Sequence, residues 1–516
     1  MPVKNLIYII FIISIVLQSN AISETFTDID TKCGTFASQD EQNKLLSRIL
    51  IPIDTIKGRP TLQKDYLSSS GFFLIHYDTV GFHAVQLTDE DGNGIPDYVD
   101  SAAYYFDLAY RAYIDTMGYN PPFKDDGLGG SDAYDIYLMN IGEGEPAYYG
   151  VTREDVEKLP RQHFPRWVSH IIIDNDFSPL DSTGEAGDRR QHFSTFGIDA
   201  LKITAVHEFH HALQFTYGLQ ELPQTLIINE MTSTWMEYRL FPEIKDYFQY
   251  VKTLFIAPEK NPFGGMDYRI GYRWSIFGQY IYRNYGDSLL LRMWELVGEG
   301  INAYEALDNA FFERGSDLKE EWCNFLPWLY YTGSRAIEDK YFDDAKLFPE
   351  FSFYRNMKFS SPAVIEEGIT QSFEVRAYRC ILPSLENDSL DMIIANIDLL
   401  SAVRQYDSNK DFNLIFSTRP NEKCEQIVGT KYFYGVNAPE GNICDKTFFT
   451  ISNPISVVYP NPFNLKTDKV LNIPVSSDAV LYEIVVLKIF SSDMIEQFSV
   501  EKSIIANEIF RNGITT

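Results

Sequence analysis

Residues 204–217, which read Thr-Ala-Val-His-Glu-Phe-His-His-Ala-Leu-Gln-Phe-Thr-Tyr, constrain this chain more than any other stretch. The apolar residues recur at helical spacing and no glycine or proline interrupts them before Gly218, so the stretch predicts an α-helix. His207 and His211 are four residues apart and therefore project from the same face of that helix. Two neutral imidazoles so placed can hold one side of a zinc ion, and the neighbouring Glu208 can act as a general base.

A second stretch, residues 227–238, supplies the third ligand of the predicted zinc site. Glu230 follows His211 with eighteen residues between them, which leaves room for a turn and a returning helix. Two histidines and one carboxylate leave a fourth position for water, as in zinc sites of the catalytic type. Glu237 is two helical turns further on and is expected to orient a ligand histidine. The alternative is that both carboxylates are solvated helix charges.

Three motifs of this chain resemble those of known metallopeptidases. They are His207-Glu-Phe-His-His211, Glu230-Met-Thr-Ser-Thr-Trp-Met-Glu237 and Tyr272-Arg-Trp-Ser-Ile-Phe-Gly-Gln-Tyr280. Their order and spacing resemble the gluzincins, and more closely a group of secreted bacterial metalloproteases; the similarity covers roughly residues 70–300. Met231 departs from the pattern, because that group usually has glycine there.

The resemblance implies a zincin-like domain, in which a mixed sheet and the active-site helix are followed by a helical lobe. By the same analogy, a strand at residues 169–174 would edge the cleft and hold extended peptide by β-pairing. Tyr272 is our candidate for the phenol that hydrogen-bonds the developing oxyanion, with a packing role as the alternative. Helices are predicted at residues 241–255, 275–285, 288–297 and 302–330.

Residues 89–100 have the pattern of a twelve-residue calcium loop of the EF-hand type, with Gly94 at the sixth position for the sharp turn. The predicted oxygen ligands are the side chains of Asp89, Asp91, Asn93, Asp97 and Asp100 and the carbonyl of Ile95. The last position holds aspartate where glutamate is usual. We therefore expect a structural calcium ion here; the alternative is an acidic turn before a helix at residues 98–117.

The start of the chain has the features of a signal peptide. Lys4 precedes an apolar run at residues 6–17, and small residues follow at 19–21. That run is too short to span a bilayer comfortably, so residues 1–21 predict export and no membrane insertion of the mature chain. A net charge of −28 argues against nucleic-acid and anionic-membrane partners and suits a secreted, extracellular protein.

Length and patterning predict several domains in these 516 residues. Residues 22–68, with a short helix near 41–50, predict a linker or a pro-segment, and the metallopeptidase-like domain is expected at 69–335. The five cysteines are too few and too scattered for a disulfide scaffold or a cysteine-zinc site, although Cys424 and Cys444 are the favoured pair.

Short alternating segments at residues 371–378, 391–395 and 412–416 predict a β-sandwich module over 336–455. A further module is expected at 456–516. Its opening, Val458-Tyr-Pro-Asn-Pro-Phe-Asn464, resembles immunoglobulin-like modules and the sorting modules of type IX secretion, although the usual closing glycine-rich strand is missing. The fold class predicted for the whole chain is therefore α+β.

The function predicted from these features is that of a secreted zinc-dependent endopeptidase acting on a protein or peptide, with cell-surface attachment through the C-terminal module. Zinc held by His207, His211 and Glu230 would activate water, and Glu208 would accept its proton. Two alternatives stay open. One is an aminopeptidase of the same clan, which needs an acidic anchor for the substrate amine. The other is a calcium-stabilised surface or adhesion protein whose zinc site is vestigial.

Overall fold

The fold is known from a computed structural model. It describes residues 32–49, 59–144, 146–158, 163–179, 193–220, 222–358, 363–381, 389–397, 399–404, 410–418, 433–437, 447–452, 484–490 and 496–503. The predicted signal peptide, the favoured cysteine pair and the proline-rich opening of the last module lie outside these residues. No helix of the described chain is both long and apolar enough to cross a bilayer.

A five-stranded mixed sheet forms the centre of the N-terminal half. Its strands, in spatial order, are β1 (Lys64–Leu67), β2 (Phe73–Tyr77), β3 (Tyr134–Leu138), β5 (Trp167–Ile173) and β4 (Gly150–Glu157). The three inner strands run parallel, and both edge strands run antiparallel to their neighbours. Every side chain of β2 is buried, as expected for an inner strand whose two faces are both covered.

Alternating side chains of the sheet bury two different cores. Ile136 and Leu138 face α2 (Asp97–Tyr110) and α3 (Gly197–Tyr217), which pack on one side. On the opposite side, Tyr137 packs with the apolar residues of α1 (Gln39–Arg48). The sheet therefore lies between α1 and the pair α2–α3, and the segment that carries α1 is part of the folded body.

The strand at the cleft edge differs from the prediction. The segment predicted to form the edge, residues 169–174, belongs to the inner strand β5, and β4 is the edge strand of the sheet. The physical reason is that all residues from Val168 to Ile173 are buried, which is typical of an inner strand covered on both faces. Strand β4 lies beside α3, where the Thr152 hydroxyl donates to the Glu208 carbonyl at 2.9 Å.

A helical lobe follows the sheet. Its helices are α4 (Pro223–Leu240), α5 (Phe248–Ile256), α6 (Ile270–Tyr285), α7 (Ser288–Gly298), α8 (Ala303–Phe312) and α9 (Leu318–Tyr330). The helix predicted from residue 241 begins only at Phe248. The one predicted over 302–330 is divided, because Gly315 has a left-handed backbone and the Asp317 side chain caps α9.

The C-terminal third is built from short strands, as predicted, so the chain has a mixed α+β architecture. β6 (Arg355–Lys358), β8 (Val375–Ile381), β9 (Ser389–Ala395) and β11 (Phe433–Asn437) form one sheet. β7 (Ala363–Thr370), β10 (Lys410–Thr418) and β12 (Thr447–Ser452) form another, while β13 (Ile484–Phe490) and β14 (Glu496–Ser503) pair separately. The short helix α10 (Leu399–Arg404) follows β9. The predicted strands near 371–378, 391–395 and 412–416 correspond to β8, β9 and β10.

Candidate metal centre

The two histidines of α3 present their Nε2 atoms to one point. Nδ1 of His207 lies 2.6 Å from the Glu237 carboxylate, and Nδ1 of His211 lies 2.8 Å from the Gln214 side-chain oxygen. Both partners are acceptors, so each Nδ1 carries a hydrogen, and in the neutral form of the ring the lone pair lies on Nε2. The two Nε2 atoms are 3.0 Å apart.

Glu230 of α4 completes the group. Its Oε2 lies 3.2 Å from Nε2 of His207 and 3.5 Å from Nε2 of His211. The carboxylate is fully buried, and neither oxygen accepts a hydrogen bond of normal geometry from the described residues. A buried carboxylate without hydrogen bonds is costly, so this arrangement calls for a positive charge between the three atoms.

The spacing of the three atoms fits a small tetrahedral cation. Ligand atoms about 2.0–2.2 Å from such an ion are separated by about 3.3–3.6 Å from each other. The observed separations of 3.0, 3.2 and 3.5 Å are close to this range. Two imidazole nitrogens and one carboxylate oxygen are a ligand set that suits zinc.

The electrostatics of the group also favour a cation. Burial lowers the pKa of His207, but the carboxylates of Glu230 and Glu237 outweigh it and raise that pKa to about 9. Burial raises the pKa of Glu230, but the electrostatic interactions and hydrogen bonds with His211 and His207 outweigh it and lower that pKa to about 2.

Glu237 orients His207, as predicted, and also holds a lysine. One carboxylate oxygen accepts from Nδ1 of the histidine, and the other accepts from Nζ of Lys32 at 2.6 Å. The same ammonium group lies 2.5 Å from the Asp246 carboxylate, and all of these side chains are buried. No sequence pattern predicted this contact between the N-terminal segment and α4.

Glu208 lies beside the ligand group and outside it. Its Oε2 accepts hydrogen bonds from the hydroxyls of Thr152 at 2.7 Å and Thr35 at 3.2 Å. A Cβ atom at Gly150 would lie 2.5 Å from Cγ of Glu208, so the absence of a side chain there lets strand β4 approach the carboxylate. The predicted base is thus held between α3 and the edge of the sheet.

Tyr272 of α6 lies on the remaining side of the group. Its ring centroid is 6.3 Å from that of His207, and its hydroxyl accepts the backbone N–H of Cys33 at 3.3 Å. Burial raises the pKa of this phenol well above its usual value, so it stays protonated at neutral pH. The side chain is therefore able to donate a hydrogen bond toward the site.

Cys33 is the residue of the site that the sequence did not predict. Its Sγ and the ligand atoms of His207, His211 and Glu230 all lie within 4.8 Å of one another, and the thiol is fully buried. A cysteine-zinc site was not expected from the sequence, whereas the structure places one thiol against the three predicted ligands. A lone cysteine that meets its partners only through the tertiary fold leaves no local motif, and only the odd number of cysteines is a hint.

The predicted calcium loop brings part of its ligands together. Single carboxylate oxygens of Asp89, Asp91 and Asp97 lie within 4.8 Å of one another. Asn93 donates from its side chain to Asp100 at 2.7 Å, which ties two other predicted ligands to the same loop. The loop bends at its two glycines, Gly92 and Gly94, whose backbones are left-handed. The backbone N–H of Ile95 donates to the Asn93 side-chain oxygen at 2.7 Å.

No model of a known protein family matches this chain, and no curated protein is detectably similar to it in sequence. The function must therefore be argued from the residues and their geometry.

Proposed function

We propose that this chain is a secreted zinc-dependent endopeptidase with a zincin-like catalytic domain. One observation carries the proposal: the lone pairs of His207 and His211 and the unpartnered carboxylate of Glu230 converge within 3.5 Å in a fully buried group. The carboxylate of Glu208 lies next to that group. Three ligands and an adjacent base are what metal-assisted hydrolysis requires.

Each residue has a role in peptide hydrolysis. Zinc, when bound, polarises the scissile carbonyl and lowers the pKa of water. Glu208 accepts the proton of the attacking water and passes it to the leaving amine. Thr152 holds the carboxylate of Glu208 in position by its 2.7 Å hydrogen bond, and the neutral phenol of Tyr272 donates to the oxyanion.

The path of the chain through the site supports an endopeptidase over an aminopeptidase. Residues 32–36 lie beside strand β4 at the metal ligands and continue into α1. The edge of the sheet at the site therefore accommodates extended polypeptide. An aminopeptidase site would instead close around the free amine of its substrate. Comparing the hydrolysis of peptides with blocked and free amino termini would distinguish the two activities.

The proposal also covers the acidic loop, the C-terminal strands and the start of the chain. The loop at residues 89–100 holds a structural calcium ion with the three clustered carboxylates as its first ligands. The strands of residues 355–452 form a β-sandwich, and the last module serves sorting or attachment to the cell surface. Export follows from residues 1–21, and the acidic surface is suited to a soluble extracellular protein.

The proposal is tested by metal content and hydrolysis together. We expect one zinc per chain in the purified protein and casein hydrolysis that 1,10-phenanthroline abolishes. The variant Glu208→Gln should keep the zinc but lose turnover by several orders of magnitude, because base and proton donor are removed together. Hydrolysis is measured both in the full chain and in a Cys33→Ala background, because the thiol lies within the ligand group.

Glu243→Gln is the matched control, because this carboxylate is exposed in the same lobe and contacts none of the site. It should change neither zinc content nor turnover. Equal turnover of Glu208→Gln and the unmodified chain in both backgrounds would remove Glu208 from the mechanism. Absence of bound zinc in the purified chain would contradict the whole proposal.

A second candidate function follows from Cys33. Four protein ligands, Cys33, His207, His211 and Glu230, would close a tetrahedral site and make the metal structural. The chain would then be a metal-stabilised surface or adhesion protein without hydrolytic activity. Retained zinc without hydrolysis in the Cys33→Ala background would favour this candidate.

A further inference from the structure

The N-terminal segment lies along the edge of the sheet at the site. Cys33 pairs with Gly150 of β4 in the parallel direction. The backbone N–H of Gly34 donates to the Gly150 carbonyl at 3.0 Å, and that of Tyr149 donates to the Lys32 carbonyl at 2.8 Å. The segment thus pairs with the edge strand β4 beside the metal ligands, where an extended substrate would be held.

Three neighbouring side chains of this segment contact three different parts of the proposed machinery. Lys32 binds Glu237, which orients His207. Cys33 places its thiol against the metal ligands, and its N–H donates to the Tyr272 hydroxyl at 3.3 Å.

Thr35 supplies the third contact and also fixes the thiol. Its hydroxyl lies 3.2 Å from the Glu208 carboxylate and 3.0 Å from the Cys33 sulfur. The backbone N–H of Thr35 donates to the same sulfur at 3.4 Å. The Cys33 sulfur is therefore held by a residue of its own segment. The Oε2 atom of Glu208, the proposed proton acceptor, already accepts a hydrogen bond from Thr35.

We propose that residues 32–36 are an inhibitory segment of the peptidase, in which the Cys33 sulfur is the fourth ligand of the zinc ion. This inference rests on the proposed function and adds its regulation. While the segment is docked, the thiolate occupies the position that water needs, Thr35 occupies Glu208, and the backbone blocks the strand edge. The chain is then a latent precursor, and residues 22–68 include a pro-segment.

The N-terminal segment fits closely against strand β4. A Cβ atom at Gly34 would lie 2.6 Å from the Val151 side chain, so only glycine allows this close approach to β4. After the segment, Ser38 and Glu41 form a capping box that begins α1. The buried Leu45 and Leu46 then anchor that helix on the sheet. The position of the thiol is thus fixed by the close fit of Gly34 and by the anchored helix that follows it.

Docking and release of the segment transfer a proton and change one zinc ligand, and no atom is oxidised or reduced. On docking, the Cys33 thiol loses its proton to solvent, and a sulfur lone pair forms the bond to zinc. On release, the sulfur–zinc bond breaks, the thiolate takes up a proton from solvent, and water can reach the site. Lys32 leaves with the segment, so the carboxylates of Glu237 and Asp246 then become accessible to solvent.

A cobalt-substituted full chain tests the ligand directly. We expect one cobalt per chain and a sulfur-to-cobalt charge-transfer band in the near ultraviolet, and zinc X-ray absorption should show one sulfur at about 2.3 Å. Both signals should disappear in Cys33→Ser, which keeps the size of the side chain, while one metal per chain is retained. Cys323→Ser is the matched control, since this free cysteine lies in α9, and it should keep both signals.

Hydrolysis then tests the inhibition. We expect casein turnover of the full chain to rise at least about tenfold in Cys33→Ser and in Gly34→Ala, and to stay unchanged in Cys323→Ser. Gly34→Ala leaves every proposed ligand in place, so its gain would come from undocking of the segment alone. A sulfur signal in the unmodified chain with no gain of turnover in either variant would overturn the inhibitory role.

The two proposals fail in different ways. Cobalt that binds without any sulfur signal would overturn the role of Cys33, while the zinc peptidase proposal would stand. A chain that binds no cobalt through His207, His211 and Glu230 would overturn the proposed function itself and this inference with it.

Discussion

Glu237 shows how a single carboxylate serves both the site and the segment that covers it. One oxygen accepts from Nδ1 of His207, so the imidazole is held in the tautomer whose Nε2 can bind a metal. The other oxygen is paired with Lys32 inside the protein. Because His207 and Lys32 bind opposite oxygens, removal of the lysine leaves the histidine contact intact, and the orientation of the ligand does not depend on the segment.

Glu237→Ala should weaken zinc binding by about 10–100-fold, because His207 loses the acceptor that fixes its ring and raises its basicity. The affinity is measured by competition with a chromophoric chelator. Glu243→Ala, on the exposed connection after α4, is the control and should leave the affinity unchanged. An unaltered affinity in Glu237→Ala would show that the hydrogen bond does not orient the ligand.

The parts of the site that the sequence predicted are those that helical geometry fixes. His207 and His211 share a face because they are four residues apart, and a returning helix brings Glu230 to them. The contacts of Lys32, Cys33 and Thr35 were not predicted, since each joins residues more than 100 positions apart and depends on where β4 ends up in the sheet. The edge position of β4 was missed for the same reason, because strand order is a tertiary property.

At the level of elements, the position of Glu230 depends on how closely α4 and α6 approach. Two glycines of α6 face α4 at the contact. A Cβ atom at Gly271 would lie 2.4 Å from the Ile227 carbonyl oxygen and 2.6 Å from the Cβ of Glu230, and one at Gly278 would lie 2.5 Å from the Trp235 ring. Met231, the residue after Glu230, is fully buried beside this contact.

Gly271→Ala should therefore destabilise the fold and also weaken zinc binding. The added methyl group pushes α6 away from the turn of α4 that carries Glu230, and overpacking of this kind costs about 1–3 kcal/mol. Gly278→Ala is the control, because it disturbs the same helix pair two turns away from the ligand and should lower stability alone. Urea unfolding with a chelator present gives the stability, and chelator competition gives the affinity. Equal zinc affinity in the two variants would contradict this account.

The loop before α2 makes a separate prediction about calcium. Asp91→Ala removes one of the three clustered carboxylates and should abolish the stabilisation by calcium. At a hundredfold excess over the dissociation constant, calcium stabilises a folded protein by about 2.7 kcal/mol, so the unmodified chain should melt at a higher temperature with calcium than with EGTA. The variant should melt at one temperature in both conditions. Glu90→Ala, whose exposed side chain is not in the cluster, is expected to behave like the unmodified chain.

At the scale of the whole molecule, the core does not end at residue 335, where the sequence predicted a domain boundary. Five apolar residues of the β8–β9 region are buried with the helical lobe: Phe373, Val375, Ala377, Ile393 and Ala395. Phe373 packs edge to face on Trp322 at 5.2 Å, and its carbonyl accepts the backbone N–H of Phe263. The lobe that carries Tyr272 therefore shares its core with the first strands of the C-terminal part.

A chain truncated after residue 335 should accordingly be unstable. Removal of Phe373, Val375 and Ile393 exposes the apolar surface of the helical lobe that these side chains cover. The loss costs about 1.5–3 kcal/mol for each large side chain, and the three losses together approach the 5–15 kcal/mol by which whole domains are stable. We expect that chain to melt far below the full chain or to aggregate. A chain ending at residue 455 keeps these contacts and should match the full chain in melting temperature and zinc content. If the shorter chain unfolds at the same temperature as the longer one, the strands after residue 336 form an independent module, as the sequence pattern alone predicts.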